Sequence, residues 1–133
     1  MMTHRQRMLM AMRGEMHDIG KNMVIAMLRG VGFEINDMGV NVPTERIVEQ
    51  VSEYKPDILG LSALLTTTMP QMRKVIDALK DRGFRERVKV IIGGAPVNEK
   101  FAKAIGADGY APDAGEAVDL MKKLVKRGYE QVL

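Results

Sequence analysis

The stretch Ile58-Leu59-Gly60-Leu61-Ser62 follows Pro56 and stays apolar, without alternation, until its last residue. Alternation with period two marks a strand with one wet face, whereas an unbroken apolar run suits a strand covered on both faces, as in a parallel sheet. Val88 to Ile92 repeats the pattern with β-branched residues. Around these two, Met8 to Met12, Phe33 to Met38 and a short piece near Gly109-Tyr110-Ala111 complete five strands.

Helical spacing fills the gaps. Lys21 to Arg29 carries Met23, Val24, Met27 and Leu28 as its apolar set, with Gly30 as the stop. Pro43 opens the next helix at a position where a missing N–H costs nothing, and Ile47, Val48, Val51 and Tyr54 form its stripe. Further helices run from about Met69 to Arg82 (Met72, Val75, Ile76 and Leu79 inward), Asn98 to Ile105 and Ala114 to Arg127. Strict alternation of strand and helix implies a flavodoxin-like, Rossmann-like α/β domain: a five-stranded parallel sheet, helices on both faces, right-handed crossovers.

A length of 133 residues sets one domain, spanning 1–133. No segment approaches the roughly 20 apolar residues of a membrane span, and the start Thr3-His4-Arg5-Gln6-Arg7 leads into an apolar run too short for a signal peptide, so a cytoplasmic protein is expected. Cysteine is absent, which removes disulfides, thiol nucleophiles and thiolate metal sites. The net charge of +3 is spread along the chain and aromatics are 5% without Trp, so the footprint of a nucleic-acid binder is missing. Twelve methionines are read mainly as core filler.

Three segments hold residues that strand and helix propensity do not call for. They are Gly14-Glu15-Met16-His17-Asp18-Ile19-Gly20-Lys21-Asn22 after the first strand, Ser62 to Thr68 after the third, and Gly93-Gly94-Ala95-Pro96 after the fourth. Singly each has a plain structural reading: a solvated histidine, a helix-capping serine, a glycine turn. Together they fall on the carboxyl edge of the sheet, where open α/β sheets bind ligands, and with strand order 2-1-3-4-5 the first two flank the point of reversal.

A neutral imidazole can ligate a metal through one nitrogen while its other N–H goes to a carboxylate that sets tautomer and basicity. Glu15 lies two residues from His17, and Thr68 could satisfy Glu15 in turn. No second and third ligand follow at metal-site spacing, so a bare zinc or iron site does not fit. One histidine suits a cofactor whose macrocycle supplies the other ligands, with the glycine-rich edge against its bulk.

Glu15-x-His17-x-x-Gly20, Ser62-x-Leu64 and Gly93-Gly94 resemble the Asp-x-His-x-x-Gly, Ser-x-Leu and Gly-Gly fingerprint of cobalamin-binding domains, from Met8 to the last helix. Leu61 to Met69 and Gly106 to Ala111 look most like corrinoid proteins of methyltransferase systems in anaerobic acetogens and methanogens. The resemblance implies cobalamin bound base-off, with His17 as lower axial cobalt ligand, Glu15 accepting its N–H and Thr68 completing a relay. Gly14, Met16, Asp18 and Gly20 would belong to the same loop. Ser62 and Leu64 would line the channel for the displaced nucleotide tail, Gly93 and Gly94 would let it run beside the sheet, and Thr66, Ala95 and Tyr110 would border the cleft.

The implied activity is a methyl shuttle between a substrate-specific methyltransferase and an acceptor enzyme serving tetrahydrofolate or coenzyme M, with a reductive activase as further partner. The protein would be a cofactor-carrying component, not a complete enzyme, with neither nucleic acid nor membrane as partner. The family usually has Asp where Glu15 stands; a glutamate there also occurs in light-sensing cobalamin regulators, whose DNA-binding domain 133 residues leave no room for. The helical cap that usually precedes this domain is expected to be absent, so a homodimer or an obligate complex would cover the corrin. The rival is the small cobalamin subunit of a carbon-skeleton mutase. A receiver-type or flavin-binding domain would leave His17 without a task.

Overall fold

The structure, a computed structural model, describes residues 7–13, 19–30, 32–40, 42–63 and 66–132. Its strands are β1 (Arg7–Arg13), β2 (Glu34–Val40), β3 (Ile58–Ala63), β4 (Lys89–Gly93) and β5 (Gly109–Tyr110). Its helices are α1 (Ile19–Gly30), α2 (Thr44–Tyr54), α3 (Met69–Asp81), α4 (Glu99–Ile105) and α5 (Ala114–Val132). The strands pair in parallel in the order β2-β1-β3-β4-β5, so the order reverses between β1 and β3.

Side-chain alternation along β3 and β4 divides the core into two layers. Leu59, Leu61, Ala63, Val90 and Ile92 pack with Ile47, Val48 and Val51 of α2, with Met72, Val75, Ile76 and Leu79 of α3, and with Ala102 and Ile105 of α4. Ile58 and Ile91 point the other way, against Ile25 and Leu28 of α1 and Ala117, Val118, Met121 and Leu124 of α5. This two-sided burial is why both strands lack polar alternation.

Local chemistry sets the element ends. Lys55 caps α2 in the left-handed region at φ 53°, its N–H donating to the Val51 carbonyl, and the following Pro56 keeps the helix from continuing. Asn98 Oδ1 accepts the Phe101 N–H at 2.8 Å to start α4, and Gly106 at φ 83° ends it. Asp113 Oδ1 accepts the Glu116 N–H at 2.8 Å at the start of α5. Pro43 differs from expectation by one residue: it is the residue before α2, at ψ 149°, not its first turn.

The apolar set of α1 is also corrected. Ile25 and Leu28 are buried, whereas Met23 and Met27 are exposed at 53% and 40%. Residues three apart share a helix face, and here that face centres on Ile25 and Leu28, turning both methionines outward. Met72 and Met121 do fill core positions.

β5 is two residues long, and a polar clamp holds its approach. Asp108 Oδ2 accepts from Val90 N at 2.7 Å and from Arg85 Nη2 at 2.9 Å, while Asp108 N donates to Val90 O at 2.8 Å. Arg85 also donates to the carbonyls of Gly106 (2.8 Å) and Val88 (2.9 Å). The clamp lies at the amino edge, opposite the ligand edge. Asp108→Ala strands the Val90 N–H and the guanidinium, and a loss of about 1–2 kcal/mol in urea unfolding is expected, with cofactor affinity unchanged; an unchanged midpoint would show that the clamp does not hold β5.

Candidate functional site

The carboxyl edge is built from rows of residues that stand side by side across the strands. Met10 is opposite Gly60, which is opposite Ile91, which is opposite Gly109; one level higher, Met12 is opposite Ser62 and Ser62 opposite Gly93. By alternation from Ile58 and Ile91, the positions Gly60, Ser62 and Gly93 belong to the face covered by α1 and α5. Two of these three have no side chain and the third has a hydroxymethyl group.

The space above these positions is used unevenly. A Cβ on Gly109 would come within 2.6 Å of Leu120 Cδ2, so α5 already fills that place. A Cβ on Gly93 would meet only the Ala111 carbonyl oxygen, at 3.1 Å, among the described residues. Ala111 and Ala117 keep the neighbouring wall low. A shallow row of small residues results on the α1/α5 face at the carboxyl edge, referred to below as the trough, with a polar hydroxyl at Ser62 and no ionised side chain among the buried described residues. From Leu59 to Met72, and again from Val90 to Asn98, the sequence carries no charged residue, so the β3–α3 and β4–α4 connections bring no ionised side chain to this edge.

Gly94 has a different reason to be glycine. Its φ is +117°, and a Cβ there would run into the carbonyl group of Ala63 at the end of β3. The adjacent loop can therefore close on β3 backbone to backbone, and the turn continues through the Val97 N–H to the Gly94 carbonyl at 3.0 Å. The Gly-Gly pair thus combines an open position with an obligatory one.

The other expected residues are placed as follows. Thr66 and Thr68 lie on a single 3-10 turn, Thr66–Thr68, that leads into α3; Thr66 is exposed and Thr68 half-buried. Ala95 is exposed on the β4–α4 loop. Gly20 is the second residue of α1. Tyr110 is half-buried and packs on the layer of α2, α3 and α4, so it stands on the opposite face of the sheet from Ser62 and Gly93 and does not line their trough. Gly14, Glu15, Met16, His17, Asp18 and Leu64 lie outside the described residues. The trough brings in Gly60, Ala111 and Ala117, which the sequence did not single out; their signal is small size on a strand or helix that otherwise carries large apolar groups.

Among the described residues no group of three His, Cys, Asp or Glu side chains could hold a metal ion. A slender appendage fits above these small residues, and a macrocycle with amide groups fits the hydroxyl and backbone groups beside them.

Similarity to known proteins agrees with this geometry. Residues 8–119 match the B12 binding domain family, and the chain belongs to that family; its cofactor is a corrinoid. Over 112 residues it is 50% identical to dimethylamine corrinoid protein 3 of Methanosarcina mazei, covering 84% of this chain and 67% of that protein. It is 52% identical over 112 residues to dimethylamine corrinoid protein 1 of Methanosarcina acetivorans, covering 84% and 53%. The chain therefore spans between about half and two thirds of the length of these curated relatives.

Solved structures give the same picture. A cobalamin-binding protein from Desulfitobacterium hafniense superposes with TM-score 0.86 at 42% identity, over 90% of this chain and 59% of that one. The methanol:cobalamin methyltransferase complex from Methanosarcina barkeri contains a chain matching with TM-score 0.84 at 32% identity, over 93% of this chain and 48% of that one.

The two glycines should separate on substitution. Gly94→Ala meets both a forbidden φ and a backbone collision and should cost roughly 2 kcal/mol or more of apoprotein stability. Gly93→Ala has an ordinary φ and meets only a tight approach to the Ala111 carbonyl oxygen at 3.1 Å, and should cost less than Gly94→Ala, about 1 kcal/mol, in the same denaturant titration; equal losses would contradict the assignment of the less crowded position.

Proposed function

We propose that the chain is a corrinoid carrier that holds cobalamin base-off and delivers it in turn to a substrate-specific methyltransferase and to an acceptor methyltransferase serving tetrahydrofolate or coenzyme M. On this reading residues 1–133 form one cobalamin-binding domain, a cofactor-carrying component of a cytoplasmic methyltransferase system. The observation that carries it is the row of small residues Gly60, Ser62 and Gly93, side by side on the α1/α5 face at the carboxyl edge, where a tail displaced from the lower side of a corrin would go. Relatives named as dimethylamine corrinoid proteins support the methyltransferase system over the mutase subunit.

Bound corrinoid supplies a metal centre able to take up and give up a methyl group, which no side chain offers. The chain's own residues do the rest. His17 would offer one ring nitrogen to the metal, and Glu15 would accept the N–H of the other, which would fix the tautomer. A carboxylate at Glu15 would hold a proton shared with the imidazole, tuning its basicity toward the metal that the corrinoid would supply. Glu15 is one methylene longer than the usual Asp, and Thr68 at the start of α3 is assigned to steady it. Gly14, Met16, Asp18 and Gly20 shape the loop around His17.

Ser62 donates or accepts a hydrogen bond at the trough floor, and Leu64 adds apolar lining. Gly93 leaves the tail its room, and Gly94 closes the loop beside it. Thr66 and Ala95 border the mouth. A methyl-donating enzyme, an acceptor enzyme, a reductive activase and a second copy of the chain are the partners assigned to the corrin's open side.

Reconstitution with hydroxocobalamin followed by desalting tests the reading. Wild type should stay red, and Ser62→Leu, which fills the trough, should bind at least about tenfold more weakly while unfolding normally. His17→Ala should keep a base-off spectrum or lose the cofactor. Wild type emerging colourless would overturn the proposal.

A further inference from the structure

β1 and β2 pair regularly from Arg7 opposite Glu34 to Met10 opposite Asp37; then β1 advances two residues while β2 advances three, so that Met12 is opposite Val40. Bulges occur mainly in antiparallel pairs, and they concentrate beside functional sites, where the extra residue bends one strand and increases local twist. Here the extra residue is accommodated by Gly39, at φ +89°. No described atom lies within 4 Å of the place its Cβ would take, so glycine is required by the backbone conformation and not by crowding. Asp37 closes the bulge, its Oδ1 accepting the Gly39 N–H at 2.9 Å.

The position of this irregularity matters more than its existence. On its inner side β1 stays in regular register with β3 up to the last pair, Arg13 opposite Ala63. On its outer side, at Met12, it meets the shifted register of β2. The end of β1 therefore lies between a neighbour in regular register and one whose register has slipped by a residue, one residue before β1 ends. Glu15 and His17 follow two and four residues after Arg13. An unbulged β2 would set Gly39 opposite Met12 and move the β2–α2 connection, with the buried Val42, by one residue.

Resting on the corrinoid reading above, we propose that Asp37 and Gly39 are positioning residues for the lower axial ligand. The bulge sets the level and direction at which β1 releases the chain toward His17, and the Asp37 carboxylate locks the bulge. Neither residue is required to touch the cofactor. A purely structural bulge would affect stability alone; a positioning bulge affects how the imidazole meets the metal.

The test loads wild type, Asp37→Ala, Asp37→Asn and Gly39→Ala with cob(II)alamin and records electron paramagnetic resonance, in which an axial imidazole nitrogen splits the cobalt lines. Wild type should show the splitting in essentially all bound cofactor. Asp37→Ala should unfold within about 5 °C of wild type and bind corrinoid roughly tenfold more weakly, with at least half of the spectrum lacking the nitrogen splitting. Asp37→Asn keeps a side-chain oxygen that can accept the Gly39 N–H and should restore most of the splitting. Gly39→Ala should resemble Asp37→Ala; if it fails to fold, the Asp37 pair decides. Full splitting in Asp37→Ala overturns this inference and leaves the carrier reading standing, whereas absence of splitting in wild type overturns the assignment of His17 and this inference with it.

Discussion

A parallel sheet has to be covered on both faces, and along most of β3 and β4 this protein meets that demand with Val, Ile and Leu. At the carboxyl end, on the α1/α5 face, the demand is not met from within. Ser62 and Gly93 stand opposite one another beside Gly60, and neither α1 nor α5 sends a described side chain to the open Gly93 position. The same helix does fill the equivalent space at Gly109, with Leu120. The difference between these two glycines is what gives the edge a trough, and the reversal of strand order between β1 and β3 puts it where loops diverge.

Everything functional is arranged around that constraint. Gly94 lets the β4–α4 loop close on the backbone of Ala63, walling one end of the trough without a side chain. Asp108 and Arg85 brace β4 and β5 at the far edge, so the site's walls are fixed by groups that never approach it. The bulge at Gly39 acts from the other side, on the strand that leads to His17. Regular elements thus carry the row of small residues, and the chain toward the proposed ligand His17 leaves from one of them.

Much of the architecture was legible in the residues because its signals are periodic. The unbroken run at Ile58 to Leu61 and the stripes at Ile47, Val48, Val51 and at Met72, Val75, Ile76, Leu79 each specify a buried face, and the structure buries them. The stripe of α1 was read in part: Leu28 is buried as expected, but Met23 and Met27 are as apolar as core residues and only three-dimensional packing turns Ile25 inward in their place. Tyr110 was placed on the right edge and the wrong face, because a two-residue strand gives no alternation to read. Gly60 was passed over as part of an apolar run, and the bulge was invisible because Asp37 and Gly39 look like the end of a strand. Small residues state where side chains are missing, but only the register shows which absences line up.

The decisive observation is a crystal structure of the protein loaded with cobalamin. The expected result has the His17 ring nitrogen coordinated to cobalt from below and the nucleotide tail lying between the sheet and α1/α5, over Gly60, Ser62 and Gly93. A tail on the α2/α3/α4 face, or folded back so that the cofactor's own base occupies the lower position, would contradict the account at its root.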